Sequence, residues 1–183
     1  MQMKKIIVFL SLLLLLGCST NKMKPEDFKS KKPRLIIEEY MSGNVKAWGI
    51  LQNRSGKVTR QFSADLNGKW DGKQLILNEK FNWNDGEVQS RQWKINKIDE
   101  HNYEGTAEDV VGKARGFSYG PIFKFEYVLL VPVKGKNIKI TFDDWIFMQD
   151  EKVAINRATM TKFGIKVAAV SYTHLTLPTT PYV

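Results

Sequence analysis

Six charged residues stand in step with apolar ones: Arg60, Glu79, Arg91, Asp109, Asp144 and Arg157. In an extended chain, side chains two apart share a face. Arg60 shares its phase with Val58, Phe62, Ala64 and Leu66, and Glu79 with Leu75, Leu77, Phe81 and Trp83. Arg91 is in phase with Trp93 and Ile95, and Asp109 with Tyr103, Gly105, Ala107 and Val111. Asp144 lies among Ile138, Ile140, Phe142 and Ile146, and Arg157 continues Val153 and Ile155. Unpaired charges in an apolar interior are costly, so three arginines matched by three carboxylates point to mutual pairing. Two uses of such a cluster stand open. An ion-paired plug would fix strand register, a role suited to the arginine fork. Alternatively, the cluster is the base of a cavity and recognises the charged end of an amphipathic ligand. A strand bulge would shift the phase and remove a residue from either set. Trp48, Trp70, Trp83, Trp93, Phe123, Phe125, Tyr127 and Trp145 are candidates to line the cavity or to fill the core.

Catalytic arrangements are harder to assemble. His101 lies in a turn signal, "DEHN", and His174 lies in a C-terminal stretch that is suspect on other grounds. Asp143 and Asp144 are adjacent, so in a strand they face opposite sides and do not chelate one hard cation. Glu79 and Asp144 match a glycosidase pair by residue type only. The chain has no phosphate-cradling glycine motif, no nucleophile elbow and no zinc spacing. The expectation is a protein that is not an enzyme and has no cofactor and no metal.

The elements that position these residues read as antiparallel strands. Alternating runs recur about every ten residues, separated by turn signals such as "NRSGK", "NDGE", "VKGKN" and "KFG". Asp85-Gly86 between two alternating runs is a strong hairpin signal. The pattern predicts about nine strands, near 46–54, 58–66, 74–83, 87–97, 102–109, 113–119, 123–133, 137–148 and 152–160. Short connections favour a meander, which removes its edges by closing as a single antiparallel up-and-down barrel. A short helical or extended piece, "LIIEEYMSG", leads into it.

The N-terminus has a separate logic. Lys4 and Lys5 precede an apolar run from Ile6 to Leu16, the layout of a secretory signal, and the run ends at "LLGCST". Cys18 is the only cysteine. Leu15, Gly17 and Cys18 resemble the bacterial lipoprotein signal, in which the cysteine thiol accepts a diacylglycerol. That resemblance implies a signal peptide over 1–17, lipidation at Cys18, and a body held by its acyl chains at the outer membrane of a Gram-negative cell, facing the periplasm. Residues 18–34 then form a lipidated flexible tether, and residues 35–169 the barrel domain. Removing Lys4 and Lys5 takes the formal charge from +9 to +7; Ser19–Arg34 carries six basic and two acidic residues, so +4 of the +7 lies in the tether and +3 in the body. A basic tether aids anchoring at an anionic surface, and no nucleic-acid partner is expected.

"RSGKVTRQFSADLNGKWDG", "LNEKFNWNDGEVQSRQWKI", "YEGTAEDVVGKARG", "YVLLVPV", "DDWIFM" and "NRATMTKFG" together resemble the domain-of-unknown-function family numbered 3833, over residues 33 to 169. The resemblance implies a lipocalin-like barrel and an outer-membrane lipoprotein; it brings no catalytic residues. The expected function is a binding or carrier module for a lipid or other amphipathic ligand. The alternative is a structural or interaction lipoprotein of the envelope, with a barrel filled by its own side chains.

The tail is read differently. "VSYTHLTLPT" resembles the in-frame translation of a transposon-end sequencing adapter, so residues 170–183 are expected to be non-native. The barrel would then be incompletely closed at its C-terminal strand. Pro178 and Pro181 should stop any strand formed there.

Overall fold

A computed structural model describes residues 22–178. Ten strands run in sequence: β1 Gly43–Asn53, β2 Val58–Trp70, β3 Gln74–Trp83, β4 Val88–Lys97, β5 Asn102–Thr106, β6 Ala114–Tyr119, β7 Ile122–Val133, β8 Lys136–Met148, β9 Val153–Lys162 and β10 Ile165–Thr176. All neighbours pair antiparallel, each strand with the next in sequence, and β10 pairs back onto β1. The fold is a closed, lipocalin-like up-and-down barrel.

Closure corrects the expectation of an open C-terminal edge. Residues 170–176, read as a tail, continue β10 and pair with β1 from Val45↔Thr176 to Leu51↔Val170. Their alternation explains this: Val170, Tyr172 and His174 fall on the inner face, whereas Ser171, Thr173 and Leu175 fall on the outer. The strand ends before Pro178, as a residue without an N–H requires. Cys18, the signal segment 1–17 and Pro181 lie outside the described residues.

The two ends of the barrel differ. At the closed end, Leu35, Ile37, Tyr40 and Met41 form a plug, with a single helical turn over Ile37–Tyr40. The Leu35 N–H donates to the Gly120 carbonyl at 2.8 Å, and the Tyr40 hydroxyl donates to the Lys152 carbonyl at 3.1 Å. Gly68 of β2 permits this plug: a Cβ there would sit 1.9 Å from the Met41 carbonyl oxygen. The segment expected to be a free tether is partly docked here, since Phe28 packs against Trp145 and Phe147 on the outer wall. The opposite end is a mouth ringed by four tight hairpin turns and the longer loop between β5 and β6. In the Asp85-Gly86 turn, Gly86 takes a φ of 88°, the left-handed conformation that the hairpin signal anticipated.

The wall is uneven between β4 and β5. These strands pair only from Lys94↔Thr106 to Lys97↔Tyr103, and β5 ends at Thr106, short of the expected 109. Beyond it the loop pairs instead with β7, where the Val111 N–H donates to the Val128 carbonyl and the Leu130 N–H to the Asp109 carbonyl. Toward the mouth, side chains rather than a backbone ladder connect β4 to this loop.

Candidate functional site: an interior cavity with unpartnered polar atoms

Between plug and mouth lies a cavity of about 440 Å³. Its wall is largely aromatic and aliphatic. Phe62 meets Phe81, Trp83 and Tyr172 at centroid distances of 5.1–5.7 Å, and Trp93 meets Phe125 and Tyr127 at 5.0 and 5.2 Å. Tyr127 stacks on Phe142 at 5.0 Å. A cavity of this size suits a small-molecule ligand, and an apolar wall with a few convergent polar groups is the usual composition of such a site.

Those polar groups form three sets. Near the mouth, the Arg60 Nε lies 2.7 Å from Asp85 Oδ2 and a terminal nitrogen lies 2.7 Å from Glu87 Oε2, while the guanidinium sits 4.0 Å from the Trp83 ring centroid. At the uneven wall, Arg91 grips Asp109 through Nε at 3.0 Å and a terminal nitrogen at 2.8 Å, with Glu79 at 3.7 Å on its other side. Burial works against the arginine's charge, but Asp109 and Glu79 hold its pKa above the ordinary value. Burial raises the Glu79 pKa, and Arg91 offsets part of that rise.

The third set has no cation. Asp144 is 6% exposed; its Oδ2 accepts a 3.3 Å hydrogen bond from the Tyr127 hydroxyl, and its Oδ1 has no partner. Burial pushes its pKa up to about 7, against the weaker opposing pull of Asn156 and Tyr127. Asn156, 0% exposed, leaves both side-chain polar atoms without a good hydrogen bond. His174 leaves Nδ1 unpartnered, and burial lowers its pKa to about 4, so the ring is neutral near pH 7. Buried polar atoms without partners are uncommon and costly in folded proteins. Asp144 and His174 line the cavity and present such atoms to a ligand, whereas Asn156 lies behind the lining, beside Asp144.

The family model for "Protein of unknown function (DUF3833)" matches residues 12–174. The chain belongs to the DUF3833 family. No curated protein matches it in sequence. Among solved structures, the DUF3833 chain is similar to a protein of unknown function from the DUF3598 family of Nostoc punctiforme, with a TM-score of 0.60 and 12% identity over 80% of this chain and 51% of that one. It thus spans about half the length of the Nostoc protein. It is also similar to an S-type phycobiliprotein lyase from Guillardia theta, with a TM-score of 0.60 and 10% identity over 86% of this chain and 100% of that one. At such identities the likeness shows the barrel fold alone.

The DUF3833 barrel does not assemble the six charges into one cluster. Glu79, Arg91 and Asp109 meet, but Asp109 stands in a loop rather than on a strand. Arg60 is partnered by two carboxylates of the β3–β4 turn, which phase reasoning could not place beside it. Asp144 faces the cavity without an arginine. Arg157 is corrected outright: it is exposed on the outer face, and Ala154, Asn156 and Ala158 are the inward residues of β9. Val153 and Ile155 suggested the other phase because they are β-branched, yet Ile155 is 45% exposed; the interior there takes small side chains. Among the aromatics, Trp83, Trp93, Phe123, Phe125 and Tyr127 line the cavity. Trp48 is 50% exposed on the outer wall, Trp145 is covered by Phe28 outside, and Trp70 packs beside the closed-end core.

Sequence reasoning missed Asn156 and Glu38. Asn156 between two alanines carried a faint signal, because alanine at alternate positions marks a crowded inner face. Glu38 is buried at the closed end, where it accepts hydrogen bonds from Lys97 and Tyr103.

Proposed function

We propose that the barrel binds a small amphipathic molecule, with its apolar part against the aromatic wall and a hydrogen-bond-donating end directed at Asp144. The observation that carries this reading is the 440 Å³ cavity with the unpartnered Asp144 oxygen in its wall. A barrel filled by its own side chains would lack that space, so the carrier reading is favoured over a purely structural one. The same reading takes the protein as non-catalytic, with acyl chains on Cys18 holding it at the outer membrane. Several acyl chains are needed for stable anchoring, because one binds only marginally.

Binding of N-phenyl-1-naphthylamine tests the reading: the probe is apolar, carries one N–H donor and fluoresces strongly out of water. The chain from residue 22 onward contains every described element of the barrel and is the protein to use. Saturable binding is expected, weakened at least tenfold by Ala158→Phe, which places a ring in the cavity, and strengthened relative to N-methyl-N-phenyl-1-naphthylamine. Equal binding by wild type and Ala158→Phe would contradict the reading.

A further inference from the structure

The hairpin tips at one side of the mouth combine exposed apolar side chains with lysines. Phe163, at the β9–β10 turn, is 93% exposed and has a φ of 51°. A bulky aromatic in left-handed backbone is disfavoured, and an aromatic ring in water gains nothing from folding. The Lys162 ammonium lies 5.4 Å from the ring centroid. Asn or Gly would meet the backbone requirement better, so Phe163 costs the free protein twice.

The neighbouring tip has the same character. β8 pairs with β9 only from Thr141 onward, so the β7–β8 hairpin extends past β9. Its residues 128–141 include Leu130, Pro132, Val133 and three lysines, and no acidic residue. Lys162 and Lys166 flank Phe163, and Arg54 and Lys57 occupy the β1–β2 turn on its other side. Across the mouth the signs change. Asp85 and Glu87 stand on the β3–β4 turn, and Glu108 and Asp109 on the β5–β6 loop. Basic residues with no acidic residue on the same tip are thus gathered on the three adjacent tips, whereas on the far rim Asp85, Glu87 and Asp109 pair with Arg60 or Arg91, beside Lys113 and the exposed Val88.

We propose that these tips dock the mouth onto an anionic lipid bilayer, with Phe163 and Val133 entering the interface and the lysines facing lipid phosphates. The inference extends the ligand-binding reading, since it places the cavity's entrance where an amphipathic molecule can pass from a membrane. The chain enters the described structure at the closed end, on the outer wall beside Phe147, so a lipid anchor and these tips act at opposite ends. Each lysine near an anionic surface contributes about 1 kcal/mol, or about fivefold in partitioning.

Flotation of the chain from residue 22 onward tests the proposal, with vesicles of phosphatidylcholine alone and of phosphatidylcholine mixed with phosphatidylglycerol. Binding is expected to the mixed vesicles only and to weaken with added salt. Phe163→Asn, which suits the left-handed backbone, should lower binding about tenfold without lowering the melting temperature. Lys134→Glu combined with Lys162→Glu should lower it further, whereas Lys69→Glu with Lys73→Glu at the closed end should change it less than about twofold. Ala158→Phe should float as wild type does, which separates docking from cavity binding. Equal loss from tip and closed-end variants, no flotation at all, or self-association through Phe163 in the absence of vesicles would each overturn the proposal.

Discussion

The closed end and the cavity each contain a buried carboxylate, and their surroundings differ in sign. Glu38 at the closed end accepts hydrogen bonds from Lys97 and Tyr103. Burial works against its charge, but those partners prevail and hold its pKa below the ordinary value. Asp144 in the cavity has one long hydrogen bond from Tyr127, an Asn156 amide outside good hydrogen-bond geometry and no cation, and burial pushes its pKa up to about 7. One end completes its polar network and gains stability from it. The other leaves its network incomplete and loses stability, the difference that the proposed binding role would require.

The comparison can be broken most forcefully at Lys97. Lys97→Met strands Glu38, whose side chain is 5% exposed, and is expected to cost about 3 kcal/mol at pH 7, measured by urea unfolding. Because the folded pKa of Glu38 is depressed, the pair's stabilisation is present above the unfolded carboxylate range and is lost as pH falls from there through the lower folded pKa. The penalty of Lys97→Met should therefore shrink toward pH 4.

Asp144→Asn should act in the opposite direction. A folded pKa raised from 3.8 to about 7 makes ionised Asp144 a cost that is absent below about pH 4, grows as pH rises, and is complete above pH 7. The substitution is expected to stabilise the protein by about 2 kcal/mol at pH 8, the roughly 4 kcal/mol of the ionisation cost less that of burying an amide in its place, and by almost nothing at pH 4, read from melting temperatures across that range. A loss at pH 8 would show that the carboxylate is compensated.

Arg91→Met probes the group that lies between these extremes. It leaves Glu79 without its cation and removes the clasp to Asp109, so a loss of about 1–2 kcal/mol at pH 8 is expected. Unfolding that remains within about 0.5 kcal/mol of wild type would place the pair's energy in solvent. The smallest effect belongs to Arg157→Met, on the exposed outer face, which should change stability by less than about 0.5 kcal/mol.

The sheet was legible because turn chemistry and alternation agree over most of the chain: β2 to β9 all start within a residue of their predicted positions. The alternation of Val170–Leu175 is equally that of a strand, and only the likeness of these residues to a translated adapter argues against counting a tenth. The site was legible only in part. Alternation identifies a face but not whether it is inner or outer where alanines and asparagine carry the interior, and so Arg157 was placed inside and Asn156 overlooked. It also says nothing of partners that come from turns, as Asp85 and Glu87 do for Arg60.

Native mass spectrometry of the full chain, purified from its own envelope in mild detergent, tests the central claim most directly. A bound small molecule is expected at near one-to-one occupancy, lost from Ala158→Phe and weakened by Asp144→Asn. Wild-type protein at its bare mass, together with a filled and inaccessible interior in a probe titration, would contradict it.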